Sequence, residues 1–407
     1  NFKYKEWSGN VVFAGSKGKL NQIEFKGVDG KQGPYKLTSG DGSRDIIILA
    51  GSERVWLNGM RMVRGENNDY TVNYAVGELT FMPRHLIYFD SDIYVEYQYS
   101  DEQYNRSVLG TSMKRDLRNK GNIQFSWLRE FDQALAGEDQ IESEIMNLFN
   151  NVGDKDLLIS GATEDTSGNY VFVDSIYIYD PEGTIFGNHF DVDFTYDGYS
   201  GEYTRKVTIN GTLYYEWMGN SDLDQIRQTM DLYSPVRKLV KPESQQMVQA
   251  VGYYQLNDLM NLSVELAVSD HDQNSYSNID DADNQGIGHD FELSGQKIPL
   301  GEKIFLGYQV SNWGRTGRFH ALQRDRSVNF YNDWNIPIIR QEWERMRSVG
   351  ATFSIDSVGA VNGSFSQYEI GSALRKRILM DFHGTSVVVP SITGNFNRVQ
   401  YGNDSFN

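Results

Sequence analysis

Residues 27–107 constrain this chain most, because they read as a succession of short β-strands joined by tight turns. Successive side chains on a strand point to opposite faces. Period-two alternation runs through Val55-Trp56-Leu57, Tyr70-Thr71-Val72-Asn73-Tyr74 and Ile93-Tyr94-Val95-Glu96-Tyr97-Gln98-Tyr99. Asn58-Gly59 falls between two such runs, and a type I′ turn needs positive φ at both central residues, which Asn and Gly tolerate best. Residues 65–69 and 75–77 read as further turns. Ile46-Ile47-Ile48-Leu49 is apolar throughout, the pattern of a central strand buried on both faces. With the alternating runs at 10–13 and 22–25, this predicts an antiparallel β-sandwich over residues 1–107. The stretch contains no catalytic constellation.

Polarity rises over 101–122, and residues 113–120 are basic within an acidic chain. We expect a connector over 108–160 carrying one helix at 138–150. Ile141, Ile145, Leu148 and Phe149 recur there at helical spacing, and Gly153 is a suitable stop. Strand patterns resume at 170–173, 175–179, 190–194 and 204–209. Asn210-Gly211 is a second hairpin signal, answered by 213–217. These form a second β-unit over 161–245, closed by a polar stretch with Pro235 and Pro242.

From about Gln249 the strand patterns lengthen. Leu262, Val264, Leu266 and Val268 alternate with Ser263, Glu265 and Ala267. Residues 303–310, 347–355, 360–370 and 377–383 repeat the pattern. Segments of about 9–11 residues, with long polar loops alternating with short turns, are what an outer-membrane β-barrel requires. The expectation is therefore barrel-type strands over 246–407, about eight of them. Leu262, Val264, Leu266 and Val268, with Ile304, Leu306, Tyr308 and Val310, would face lipid.

Composition is consistent with this. Hydrophobic residues make up 39% and mean hydropathy is −0.53, with no apolar run long enough for a membrane-crossing helix. Barrel strands bring no such run, because only one face is apolar. The 25 tyrosines suit interfacial girdles or cross-strand aromatic pairs. The absence of cysteine excludes disulfides and thiolate chemistry. A net charge of −17 repels phosphate backbones, so nucleic acid is not an expected partner. The start at Asn1 reads as a chain whose signal peptide has been removed, or as an internal piece.

The acidic loop over 270–286 is the candidate site. Asp280, Asp281, Asp283 and Asn284 supply the oxygen ligands that a hard cation wants, and calcium is the ligand they suggest. The loop lacks the EF-hand's closing glutamate, so a solvated loop with Asx-turns is the reading favoured over a calcium site. His85, His189, His271, His289, His320 and His383 show no metal-binding spacing. Asp191 with Asp193, and Glu342 with Glu344, are acid pairs of the kind any acidic chain contains. Trp127, Trp217, Trp313, Trp334 and Trp343 suit core or interface positions better than a sugar-stacking platform.

The segments GVDGKQGPYKL, GSERVWLNG, RGENNDYTVNYAVGELTF and VEYQYSDEQYNRS resemble one region of large outer-membrane or cell-surface proteins of Bacteroidota and related phyla. LAGEDQIESEIMNLFNNVGDKD, SVELAVSDHDQNSYSNIDDADNQGIG and FYNDWNIP extend the resemblance. Gly201-Glu202-Tyr203 is similar to a glycine-aspartate-tyrosine repeat of that family, with Glu for Asp. The resemblance implies a β-region preceding an outer-membrane barrel, and it implies no catalytic or binding residues. The expectation is a mostly β envelope protein: N-terminal sandwich, short helical connector, second β-unit, then barrel-type antiparallel strands. Its role would be non-catalytic, as a structural, channel or secretion and assembly component. It would sit at the outer membrane or cell surface of a Gram-negative bacterium, against outer-membrane lipid and other envelope proteins. The alternatives are a soluble surface protein of tandem sandwiches binding glycan or protein, and a hydrolase with an unrecognised site.

Overall fold

The computed structural model describes residues 2–16, 18–40, 42–44, 46–100, 104–118, 120–134, 143–198, 200–209, 212–219, 231–322, 324, 326–336, 342–356, 358–384 and 392–401. The fold is mostly β, with several antiparallel sheets and few helices. The chain divides into two compact units, each assembled from separate segments.

The first unit takes residues 1–16, 105–133 and 242–407 and is built on one twelve-stranded sheet. Its strands in chain order are β1 (Phe2–Tyr4), β2 (Trp7–Ser16), β3 (Tyr104–Asp116), β4 (Gly121–Ala134), β5 (Ser244–Asn257) and β6 (Met260–Asp272). They continue with β7 (Gln285–Pro299), β8 (Ile304–Arg315), β9 (Glu344–Ile355), β10 (Gly359–Ile370), β11 (Ala373–Gly384) and β12 (Ile392–Tyr401). Each strand pairs with the next, so spatial order follows chain order. β1 and β12 are the two edges. No pairing joins them among the described residues, so this sheet is not a closed barrel.

Connections are strongly one-sided. At one end the strands are joined by the stretches 5–6, 117–120, 258–259, 300–303, 356–358 and 385–391. At the other end the chain leaves the sheet for 17–103, 135–243, 273–284 and 316–343, and turns tightly only at 371–372.

Two segments differ from the sequence reading. Residues 1–16 and 104–107, expected in the N-terminal sandwich, and 108–134, expected as connector, supply β1–β4 of the large sheet. The cause is register. Phe13 lies across from Leu109 and Val11 across from Thr111, so these faces are completed only by their cross-strand neighbours. β3 to β11 are also longer than nine to eleven residues, and β7 reaches 15. Its glycines and acids make its first half look like loop.

The second unit takes residues 17–104 and 134–241. Its first lobe packs a five-stranded sheet, ordered Lys19–Lys26, Asp92–Ser100, Arg54–Leu57, Met60–Arg61 with Ile47–Ile48 also on Asp92–Ser100, over a three-stranded sheet of Tyr35–Lys36, Glu78–Phe81 and Tyr70–Asn73. Leu37, Ile48, Val55, Leu79, Phe81, Ile93, Val95 and Tyr97 form the buried core of this sandwich. Asn58 and Gly59 have φ of 49° and 75°, the I′ geometry their sequence predicts. The run at 46–49 is a correction. Only Ile47–Ile48 is strand, and Ile47 is 40% exposed between buried Ile46 and Ile48, so it alternates like an edge strand.

The second lobe has two four-stranded sheets, one of Ala162–Glu164, His189–Val192, Tyr170–Val173 and Ile176–Tyr179, the other of Thr195–Gly198, Leu232–Ser234, Tyr203–Val207 and Leu213–Trp217. Its core is aromatic: Tyr170, Phe194, Tyr203 and Tyr233, with Phe194 stacked on Tyr215 at 4.5 Å. Asn210-Gly211 lies outside the described residues, but the strands that flank it pair. The helix α1 runs Ser143–Val152 and ends at Gly153, φ 61°. Ile141 lies outside the described residues. Phe149 is buried and Ile145 half-buried, whereas Leu148, expected inward, is exposed. An i, i+4 stripe centred on Ile145 and Phe149 leaves Leu148 on its flank.

Candidate functional site

Register carries the alternation of each strand in the large sheet across to its neighbours, since residues directly opposite share a face. Phe125 stands across from Ala250, and Ala250 from Leu266. Trp127, Val248 and Val268 make the adjoining row. From β6 onward, Leu262, Leu293, Val310, Val349, Phe365 and Ile378 form one unbroken row across six strands. Tyr308, Ala351, Gly363, Met380 and Phe396 form the next, and Leu306, Phe353, Val361 and Phe382 the one beyond. Both groups expected to share a lipid-facing surface, Leu262 to Val268 and Ile304 to Val310, therefore lie on a single face. Leu266, Val268, Val349 and Met380 are 47%, 46%, 56% and 51% exposed, so among the described residues no second sheet covers them. Along β9 this apolar face runs from Val349 to Ile355, a rise of about 20 Å. That approaches the ~25 Å apolar band of outer-membrane barrels.

The opposite face is polar, and its side chains bond one another across strands. Ser126 donates to Gln249 at 3.2 Å, and Gln249 donates to Glu265 at 2.6 Å. Gln309 donates to Glu292 at 2.7 Å, Ser348 pairs with Ser366 at 2.8 Å, and Arg377 donates to Asn397 at 3.0 Å. Small residues such as Gly288, Gly307, Ser311 and Gly350 fill the gaps between them.

A strap crosses this polar face near the end with the long connections. It is made of the described residues between 316 and 336 and includes the short helix α2 (Phe330–Trp334). Trp334 and Ile336 are buried with Tyr368, Ile370 and Ala373, against Trp313 and Met346. The His320 backbone N–H donates to Ser269 Oγ at 2.9 Å. Phe319 lies so close to Gly286 that a Cβ there would meet its backbone at 2.3 Å. Buried Glu344 anchors the strap: Arg326 reaches it at 2.6 Å, Arg315 at 3.1 Å, and the Tyr368 hydroxyl donates to it.

Residues 20–101 match a family model described as a domain of unknown function, DUF8818. That span is the first lobe of the second unit. No curated protein and no solved structure matches the chain.

The acidic loop lies between β6 and β7. Asp280 has left-handed backbone, φ 71°, and Asp281–Asp283 form a single 3₁₀ turn. Asn284 is buried, with its Nδ2 3.5 Å from Asp281 Oδ1. Asp280, Asp281 and Asp283 are exposed. The loop thus brings Asp281 and Asn284 together. Among the described residues, no three His, Asp or Glu side chains gather in a way that could hold a metal ion.

The other candidates disperse. His85 pairs with Asp69 at 2.7 Å, and the His271 and His320 rings lie 4.3 Å apart. Asp191 and Asp193 point outward, alternating with buried Val192 and Phe194. Glu342 is exposed while Glu344 is taken up by the strap. Trp217 packs on the second lobe's core, Trp313 and Trp334 on the strap, and Trp127 and Trp343 stand along the large sheet. Sequence reasoning missed the strap. Its aromatic run Phe330-Tyr331-Asn332-Asp333-Trp334 is the signal that marks it.

Proposed function

We propose that the twelve-stranded sheet is the membrane-facing part of a non-catalytic outer-membrane envelope protein, in a structural, channel or assembly role. One observation carries this reading: an exposed apolar face backs directly onto a hydrogen-bonded polar face, continuously from strand to strand. A soluble sheet buries its apolar side against another layer. Lipid takes that layer's place only where backbone groups are paired, as those of the ten inner strands are; the edges β1 and β12 need each other or a partner strand to enter a bilayer. Gathering the long excursions at one end and short turns at the other suits insertion from one side of a bilayer. No helix among the described residues is long and apolar enough to cross a membrane, so strands would make the crossing. The resemblance to outer-membrane and surface proteins of Bacteroidota points to the same compartment. Lipid is the first partner on this reading, and other envelope proteins are partners for the two β-lobes.

Leu266 stands in the middle of the apolar face, and its neighbour Glu265 points the other way. Leu266→Arg should cost about 2–4 kcal/mol in bilayer-inserted stability, while Glu265→Gln should cost little. Folding into lipid vesicles, followed by urea titration, measures both. Full solubility of the native chain as a monomer without detergent would overturn the reading. The soluble tandem-sandwich protein would replace it, supported by the two lobes' own buried cores.

A further inference from the structure

We propose that the outer face of β9–β12, at the end carrying the long connections, binds phosphorylated lipid headgroups through Arg345, Arg347, Lys376 and Arg398. This rests on the membrane-facing reading above and specifies the lipid chemistry it prefers. Arg347, Gln367, Lys376 and Gln400 form one row across four strands. The row just before it is Val349, Phe365 and Ile378 on the same face, so the cations stand at the rim of the apolar band. Arg345 lies two residues further out along β9, and Arg398 lies across from Ile378. Exposed Trp343 precedes β9, with the Arg345 guanidinium 5.9 Å from its ring centroid. A tryptophan and a group of cations beyond an apolar band mark the level of the headgroups.

The charge is unbalanced. Glu369 meets Arg345 at 2.6 Å and Arg347 at 3.8 Å. No carboxylate pairs with Lys376 or Arg398 among the described residues. Four cations against one carboxylate leave a net +3, in a chain whose net charge is −17. Neighbouring strands are about 4.8 Å apart, so β9 to β11 spans about 10 Å. A phosphomonoester brings up to two negative charges and three acceptor oxygens to such a span, and guanidinium groups hold it bidentately. The apolar rows beside the cations take the acyl chains. Free phosphate offers the charge without that second half.

The test uses the full chain in nanodiscs of phosphatidylcholine, with and without phosphatidic acid, and counts retained lipids by native mass spectrometry. The wild type should retain phosphatidic acid preferentially. R347Q/K376Q/R398Q should lose that preference by at least about tenfold, given what each cation contributes near an anionic surface. The charge-keeping pair Lys376→Arg with Arg398→Lys should retain it. Single Lys376→Gln, at an exposed side chain with no partner to lose, should fall between and guards against misfolding of the triple variant. Inorganic phosphate alone should leave the melting temperature unchanged. Equal retention by wild type and triple variant overturns the proposal, as does a phosphate-induced shift matching that of phosphatidic acid. Insertion without preference sinks only the headgroup site, whereas failure to enter the nanodisc sinks the membrane-facing reading itself.

Discussion

Glu24 and Asp69 are two carboxylates of the same lobe that its surroundings push in opposite directions. Burial on the five-stranded sheet, with Asp92 nearby, raises the Glu24 carboxyl to about 7 against the pull of Lys26. Asp69 is lowered by its bond to His85 and by the Val63 backbone N–H it accepts. The consequences for stability differ in sign. Between its ordinary 4.5 and about 7, the folded chain holds a proton on Glu24 that the unfolded chain has released. Stability from this group is therefore full below that window, falls as pH rises through it, and is level above it. Asp69 contributes stability above its ordinary range and loses it as pH falls through the lowered value. Glu24→Gln removes the penalty of ionising a half-buried acid. It should stabilise the lobe by roughly 1–2 kcal/mol at pH 8, discounted for solvent screening, and change little near pH 4.5. Urea unfolding of both proteins at the two pH values measures the difference.

At the scale of elements, the Asn58-Gly59 hairpin and the strap depend on different physics. Both hairpin residues hold positive φ, which Ala resists, so replacing the pair with Ala should cost the first lobe about 1 kcal/mol or more. Chemical denaturation followed by tryptophan fluorescence would report it through Trp56. The strap depends on a buried charge. Glu344→Gln leaves Arg326 and Arg315 without their carboxylate, a loss of about 3–5 kcal/mol for a buried pair. That exceeds what a short loop segment can absorb, so the strap should lift. Hydrogen exchange at the His320 amide, which donates to Ser269, should accelerate in the variant while exchange in β9 and β10 stays slow.

Across the whole molecule, the lobes are insertions into a meander rather than links in a line. Ser16 at the end of β2 faces Arg106 near the start of β3, so the sheet is continuous without the residues between them. Replacing residues 17–105 with a two-residue Asn-Gly turn should leave the sheet able to fold and enter lipid, because a hairpin needs only two residues to reverse. Circular dichroism and protease protection in vesicles would check this. Loss of insertion would mean that the first lobe takes part in assembling the sheet.

The sequence by itself determined local periodicity and turns. The alternation of Leu262 to Val268, the Asn58-Gly59 turn and the stop at Gly153 follow from side-chain geometry and allowed φ, which need no distant partner. It also determined that one face of the later strands is apolar. Tertiary structure alone decided which strands share a sheet. β1–β4 look like sandwich and connector until register lays Phe13 against Leu109 and Phe125 against Ala250, pairings between segments separated by a whole lobe. It decided that Glu344 is a buried anchor rather than half of an acid pair, because Arg326 and Arg315 come from elsewhere in the chain. It also assembled the rim of Arg347, Lys376 and Arg398 from three strands. Period-two alternation fixes which face a residue takes, but the neighbours on that face come from other strands, and only the hydrogen-bonded register selects them.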